Sequence, residues 1–286
     1  MTDKVEPALA EVILKPLVEA ALIEDLGRRG DVTSQATIPV EMQAQLDIKA
    51  RQAGVICGMD LARLAFALVD SHIEFKAQVA DGQCVTADTV LATVRGNARN
   101  LLTAERTALN FMTHLSGIAT ATRQIVDSVA DYPAQITCTR KTIPGLRIVQ
   151  KYAVRCGGGR NHRLGLDDAI LIKDNHIAIA GDISTAIQQA QQFAGHLIPI
   201  EVEVDTLAQL EVALDTGVNL VLLDNMPPKL LRQAVVMCQG RAKTEASGGI
   251  TPASVQAVAE TGVDFIAMGY LTHSTAALDI GLDFSA

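Results

Sequence analysis

The chain has 286 residues, 49% hydrophobic, 20% charged and 3% aromatic, with a formal net charge of −8. That is the composition of an ordinary globular protein with enough length for a sizeable core. An acidic chain with no Trp, three Tyr and six Phe lacks both the positive field and the stacking platforms that nucleic acid or an anionic membrane would require.

The first stretch, MTDKVEPALAEVILKPLVEAALIEDLG, carries acids throughout and no basic segment leading into an apolar one, so no secretory signal is expected. No apolar run reaches the ~18 residues of a membrane span. The five cysteines (Cys57, Cys84, Cys138, Cys156 and Cys238) are scattered, without CxxC or Cys/His metal spacing. A dispersed, odd set fits a reducing compartment, and a cytoplasmic location is expected.

From 43 to 95, short alternating runs dominate: QLDIKA, HIEFKAQV and TVLATV, with a helix-like stretch, LARLAFALVD, between the first two. Period-two alternation with one buried face predicts an antiparallel sheet with helices on one side. Residues 101–130 read as helix, with Leu102, Leu109, Met112 and Leu115 near helical spacing and Gly117 placed to break it in two. From 134 the rhythm becomes strand, loop, helix. Strand-like runs are AQITCT, AILIK, IPIEVEV, NLVLLD, KTEAS and DFIAMG. Asp182, Thr206 and the pair Thr251-Pro252 supply helix starts between them. Six such units in ~140 residues fall short of the usual eight-fold barrel of ~250, so an incomplete or atypical α/β barrel is expected rather than an open sheet. The tail ALDIGLDFSA alternates Leu278, Ile280, Leu282 and Phe284 and reads as a strand returning to the first sheet.

Ligands of parallel α/β folds sit at the carboxyl ends of the strands. Those ends carry Arg140-Lys141, Lys173-Asp174, Glu203 with Asp205 beyond, Asp224-Asn225, Ser247-Gly248-Gly249 and Met268-Gly269-Tyr270. An ionisable or glycine-rich group at every end, above apolar strand bodies, marks this ring as the site. The last two ends offer glycine N–H groups suited to phosphate. Glu203 and Asp224 could hold Mg²⁺, partly through water, or accept from sugar hydroxyls; the alternative is a buried ion pair with Lys173 or Lys141. Glu201 shares the face of Glu203 and is a candidate for such a structural partner. Arg140, Lys141, Arg163 and Lys173 with His162 form a cationic wall, whereas Arg147, Lys151 and Arg155 read as the solvated side of a helix. Residues 137–176 hold eight Lys/Arg against three Asp, a local positive cluster suited to a small anion. No GxxxxGK[ST], helix-opening GxGxxG or GxSxG is present, and Cys138 and Cys156 read as packed.

The segments ERTALNFMTHLSGIAT, TRKTIPGLRIVQKYAV, CGGGRNHRLGLDDAILIKDNH, EVEVDT, LLDNM and EASGGIT, with EDLGRRGDVTS near the start, together resemble the quinolinate phosphoribosyltransferase family over nearly the whole chain. The resemblance implies an α/β protein. Its N-terminal α+β sandwich domain, with an antiparallel sheet, would span 1–115 and regain the tail 275–286. Its C-terminal atypical α/β barrel would span 116–274. It implies that quinolinate and phosphoribosyl pyrophosphate, with Mg²⁺, give nicotinate mononucleotide, pyrophosphate and CO₂. The implied quinolinate contacts are Arg106, Arg140, His162 and Arg163, with Thr139 alongside. Arg106 would come from the second subunit of a homodimer, with a hexamer a further option. Lys141 and Lys173 match positions near the substrate anions, and Glu203 and Asp224 those serving ribose hydroxyls and Mg²⁺; these four form the implied catalytic set. Ser247, Gly248 and Gly249 with Met268, Gly269 and Tyr270 match the 5′-phosphate site. The glycines of CGGGRNHR then read as a helix terminus and a flexible turn that carries His162 and Arg163 over the substrate carboxylates. Two other functions fit the pattern: a Schiff-base aldolase using Lys173, and a non-catalytic sugar-phosphate or oxyanion binder of the same fold.

Overall fold

The computed structural model describes residues 8–284; the first seven residues of the leading stretch and the last two of the tail lie outside them. Two compact units divide the chain: Met1–Arg123 with Ile143–Gly158 and Thr275–Ala286, and Gln124–Thr142 with Gly159–Ser274.

The first unit is built on an antiparallel sheet of β1 (Gln43–Ala50), β3 (Glu74–Ala77), β5 (Val90–Asn97) and β12 (Ile280–Phe284), in the order β12-β1-β5-β3. The strands β2 (Gly54–Val55) and β4 (Cys84–Val85) form a small separate ribbon. Alternation buries Leu46, Ile48 and Ala50 of β1. Helix Met59–Val69 sets the Phe66 ring 5.9 Å from that of Phe75 in β3. The tail strand pairs antiparallel with β1, from Leu46 opposite Phe284 to Ala50 opposite Ile280.

Helix Ala98–Ser128 is continuous over 31 residues, so Gly117 is not the break its position suggested. It is a contact instead: a Cβ there would lie 2.2 Å from the Ala276 carbonyl oxygen, so only glycine lets the tail run this close. Helix Arg147–Cys156 packs in this first unit, although a division at 115/116 assigns it to the second. It is well covered there: Val149, Gln150, Lys151, Tyr152, Ala153, Val154 and Cys156 are all buried. Lys151 is therefore not part of a solvated basic face; it is fully buried. The Arg155 guanidinium lies 5.6 Å from the centre of the Tyr152 ring.

The second unit is a six-stranded parallel sheet of β6 (Gln135–Thr137), β7 (Ile170–Ile172), β8 (Ile200–Val204), β9 (Leu220–Asp224), β10 (Lys243–Ser247) and β11 (Phe265–Ala267), ordered β6-β11-β10-β9-β8-β7. Strands β6 and β7 are its edges, with no ladder between them among the described residues, so the incomplete barrel is an open one. A single bridge from Thr137 to Arg160 extends the β6 edge. Asp182 caps helix Ile183–Phe193 by accepting from Thr185 N at 2.8 Å. Thr206 caps helix Leu207–Asp215 in a reciprocal box with Gln209. The helix after SGGI starts at Val255 rather than Pro252, because residues 251–254 form a turn closed by Val255 N donating to Thr251 O. Among the described residues no helix is long and apolar enough to cross a membrane.

Candidate active site

Strand register decides which side chains meet. Glu201 pairs with Leu171, Glu203 with Leu222, Leu222 with Glu245, and Glu245 with Phe265. Residues opposite one another share a face, and alternate residues of a strand return to it. One face of the sheet thus carries Thr137, Glu201, Glu203, Asp224, Glu245 and Ser247. The other carries Ile136, Ile172, Val202, Val204, Val221, Leu223, Ala246 and Ile266, all buried. The ionisable side chains of these strands at Glu201, Glu203, Asp224 and Glu245 thus share one side of the sheet, whereas Thr244 on the other side bonds to Asp264.

At the carboxyl ends, Lys173 Nζ lies 2.6 Å from Glu203 Oε2, with the lysine half-exposed and the glutamate nearly buried. Of the partners weighed from sequence, Lys173 thus pairs with Glu203, whereas Glu201 is bound elsewhere. Asp224 holds its proton more tightly than an ordinary carboxyl: burial is the main cause and the negative charge of Asp205 the next, partly offset by Lys173 and Lys141. Asn225, placed on the strand-end ring from sequence but given no role, adopts φ +53° and donates from Nδ2 to Asp224 Oδ2 at 2.6 Å. Gly248 abuts it: at φ +95°, a Cβ would fall 2.1 Å from Asn225 Oδ1 and 2.8 Å from the Asn225 nitrogen.

Beside β6, the Thr139 hydroxyl accepts from Lys141 N at 3.0 Å, and Thr272 Oγ1 donates to Lys141 O at 2.7 Å. The Lys141 side chain passes over Gly269, where a Cβ would meet its Cδ at 3.1 Å. The Met268 side chain is fully buried, so that position can serve a ligand only through its backbone. Tyr270 opens the short helix Tyr270–His273.

Arg140 and Arg163 are neighbours. Burial foremost, and then the charge of Arg140, hold the Arg163 guanidinium below the usual arginine range. Arg163 Nη1 donates to Ala169 O at 3.0 Å. Arg140 Nε is buried with no hydrogen-bond partner among the described residues. His162 points inward: its Nε2 lies 2.8 Å from Glu201 Oε2, and its Nδ1 accepts from the Arg163 backbone N–H at 2.8 Å. Glu245, nearly fully buried and accepting from Thr137 Oγ1 at 2.8 Å, is pushed up to about 7 by burial and then by the charge of Glu201. The ligand atoms of His162, Glu201 and Glu245 all lie within 4.8 Å of one another. The alternation of KTEAS places Glu245 on the face of Ser247, the one sequence signal that could have flagged it.

The first glycine of GGG is held by packing. Gly157 is buried where a Cβ would strike Ala119 O and Thr122 Cβ at 2.5 Å, and Gly158 takes φ +90°. Arg106 is exposed on helix Ala98–Ser128 and belongs to the first unit, whereas the strand ends belong to the second. Cys138 and Cys156 are buried, as expected of packed cysteines.

Comparison with known proteins decides the family. The quinolinate phosphoribosyl transferase N-terminal domain matches residues 31–116, and the C-terminal domain of the same family matches residues 118–283. The chain belongs to the quinolinate phosphoribosyltransferase family. Within that family, a tobacco (Nicotiana tabacum) protein named quinolinate phosphoribosyltransferase [decarboxylating] 2a, mitochondrial, is 43% identical over an alignment covering 96% of this chain and 83% of its own. The solved nicotinate-nucleotide pyrophosphorylase of Francisella tularensis superposes with a TM-score of 0.94 at 39% identity, covering all of both chains. NadC from Streptococcus pyogenes gives 0.93 at 38% identity, over 98% of this chain and 100% of its own.

Proposed function

We propose that this quinolinate phosphoribosyltransferase family member transfers the phosphoribosyl group of phosphoribosyl pyrophosphate to quinolinate, releasing pyrophosphate and CO₂ and leaving nicotinate mononucleotide. One observation carries the substrate assignment: two guanidinium groups, Arg140 and Arg163, are held close enough for one charge to weaken the other's hold on its proton, and the Arg140 Nε is buried without an acceptor. Two guanidinium groups near one another, with Asp168 and Glu201 beside Arg163, suit a ligand with two adjacent carboxylates, and arginine's planar fork matches that geometry. Turnover of quinolinate against nicotinate tests the reading.

The chemistry follows from the polar face. The quinolinate ring nitrogen attacks C1′ as pyrophosphate leaves, and positive charge gathers on the ribose ring. Glu203 and Asp224 present carboxylates suited to that charge and to the ribose hydroxyls. Lys173 and Lys141 stabilise the departing pyrophosphate. The pyridinium formed accepts the electron pair of the breaking C2–carboxylate bond, CO₂ leaves, and C2 takes a proton. Backbone N–H groups at Gly248, Gly249, Gly269 and Tyr270 cradle the 5′-phosphate in this reading.

The donor set suits Mg²⁺, a hard cation bound by oxygen. Asp224, crowded by Asp205 and Asp174, would be its principal protein ligand, and Glu203 a lesser one because Lys173 engages its Oε2. When bound, Mg²⁺ neutralises charge on the pyrophosphate. Arg106 is assigned to the substrate pocket of a second copy in a homodimer; its exposure on the helix supports this. The aldolase alternative is disfavoured because Lys173 forms an ion pair with Glu203 at 2.6 Å, an arrangement that suits an ammonium and not the neutral amine a Schiff base requires.

A further inference from the structure

Two glutamates sit where an apolar sheet needs none. Glu201 and Glu245 are 4% and 5% exposed, on the polar face of β8 and β10. Burying carboxyl groups costs free energy that leucine or valine at the same positions would not, so their presence calls for a task. They border a cavity of about 370 Å³ shared with Thr137, Arg160, His162 and Arg163. Across it runs one polar chain: Thr137 Oγ1 donates to Glu245, Glu245 stands against Glu201, Glu201 Oε2 meets His162 Nε2, and His162 Nδ1 accepts from the Arg163 N–H. The last link fixes the tautomer. A ring nitrogen that accepts from a backbone amide carries no proton, so Nε2 carries it and donates to Glu201. His162 therefore has both ring nitrogens engaged by the protein.

We infer that Glu201 and Glu245 are positioning residues for the reaction: through His162 they fix the Arg163 backbone, and with it the guanidinium that meets the substrate carboxylate. The inference rests on the reading of Arg163 as a quinolinate grip. It makes His162 the strut between the buried acids and that grip. Arg163 carries the charge; the glutamates set its place, much as outer partners orient the histidines of a metal site.

The test uses the full-length protein with quinolinate and phosphoribosyl pyrophosphate. Glu201→Ala removes the acceptor for the His162 Nε2–H, while Glu201→Gln keeps a carbonyl oxygen there. Glu201→Ala should raise KM for quinolinate on the order of tenfold, as loss of a buried hydrogen-bond partner does. KM for phosphoribosyl pyrophosphate should stay unchanged, and Glu201→Gln should recover most of the loss. A parallel rise of both KM values, or a Gln variant as impaired as the Ala variant, overturns the inference. Should Glu201→Ala fail to fold, nitrogen NMR of wild-type protein labelled at histidine takes its place. The His162 ring is expected as the Nε2–H tautomer, and an Nδ1–H tautomer overturns the inference. That measurement needs no turnover, so a wild-type protein inert toward quinolinate fails the functional reading separately from the strut.

Discussion

Lys173 Nζ lies 2.6 Å from Glu203 Oε2, tying the ends of the neighbouring strands β7 and β8 across the polar face of the sheet. The lysine side chain is 45% exposed, and ion pairs with that much solvent contribute about 0–1 kcal/mol to stability. The proposed function gives the lysine its value in the reaction instead. Lys173→Met keeps the stem and removes the charge. It should lower kcat about 10²–10³-fold, the cost of losing one preorganised group at developing negative charge, while moving the melting temperature by no more than about 4 °C. Loss of folding with no separate kinetic defect would show the pair to be structural.

Gly248 and Asn225 form a second test. Both take left-handed backbone, at φ +95° and +53°, and the missing Cβ of Gly248 is what admits the asparagine. Gly248→Ala should displace Asn225 and with it the loop assigned to the 5′-phosphate. KM for phosphoribosyl pyrophosphate is expected to rise on the order of tenfold, and stability to fall by about 1–3 kcal/mol. An unchanged KM for that substrate would place the phosphate elsewhere.

Glu245 makes stability depend on pH. Its carboxyl is raised from 4.5 to about 7 in the folded chain, first by burial and then by Glu201. Between those values the folded state holds a proton that the unfolded state has released, so this group's contribution falls as pH rises through the window and is constant above it. Glu245→Gln cannot ionise. Denaturant unfolding at several pH values from about 5 to 8 should show the variant gaining on wild type as pH rises; a constant difference between the two would refute the assignment.

Much of this was legible in the sequence because the rules involved are local. Apolar strand bodies with charged ends placed Lys173, Glu203 and Asp224 on one rim, and Asp182 and Thr206 announced their helices. What escaped was set by packing between distant segments. Gly117 looks like a helix break until the Ala276 carbonyl is seen against it. Lys151 obeys the pattern of a solvated face and is nevertheless fully buried. His162 meets Glu201, 39 residues away, at 2.8 Å. No periodicity signals that pairing.

The central claim is that paired guanidinium groups select a substrate with two adjacent carboxylates. It is tested most directly by supplying phosphoribosyl pyrophosphate and Mg²⁺ with either quinolinate or nicotinate, and following pyrophosphate and CO₂ release. The account predicts turnover with quinolinate, one CO₂ per pyrophosphate, and little or none with nicotinate. Equal turnover of nicotinate, or pyrophosphate release from quinolinate without CO₂, would contradict it.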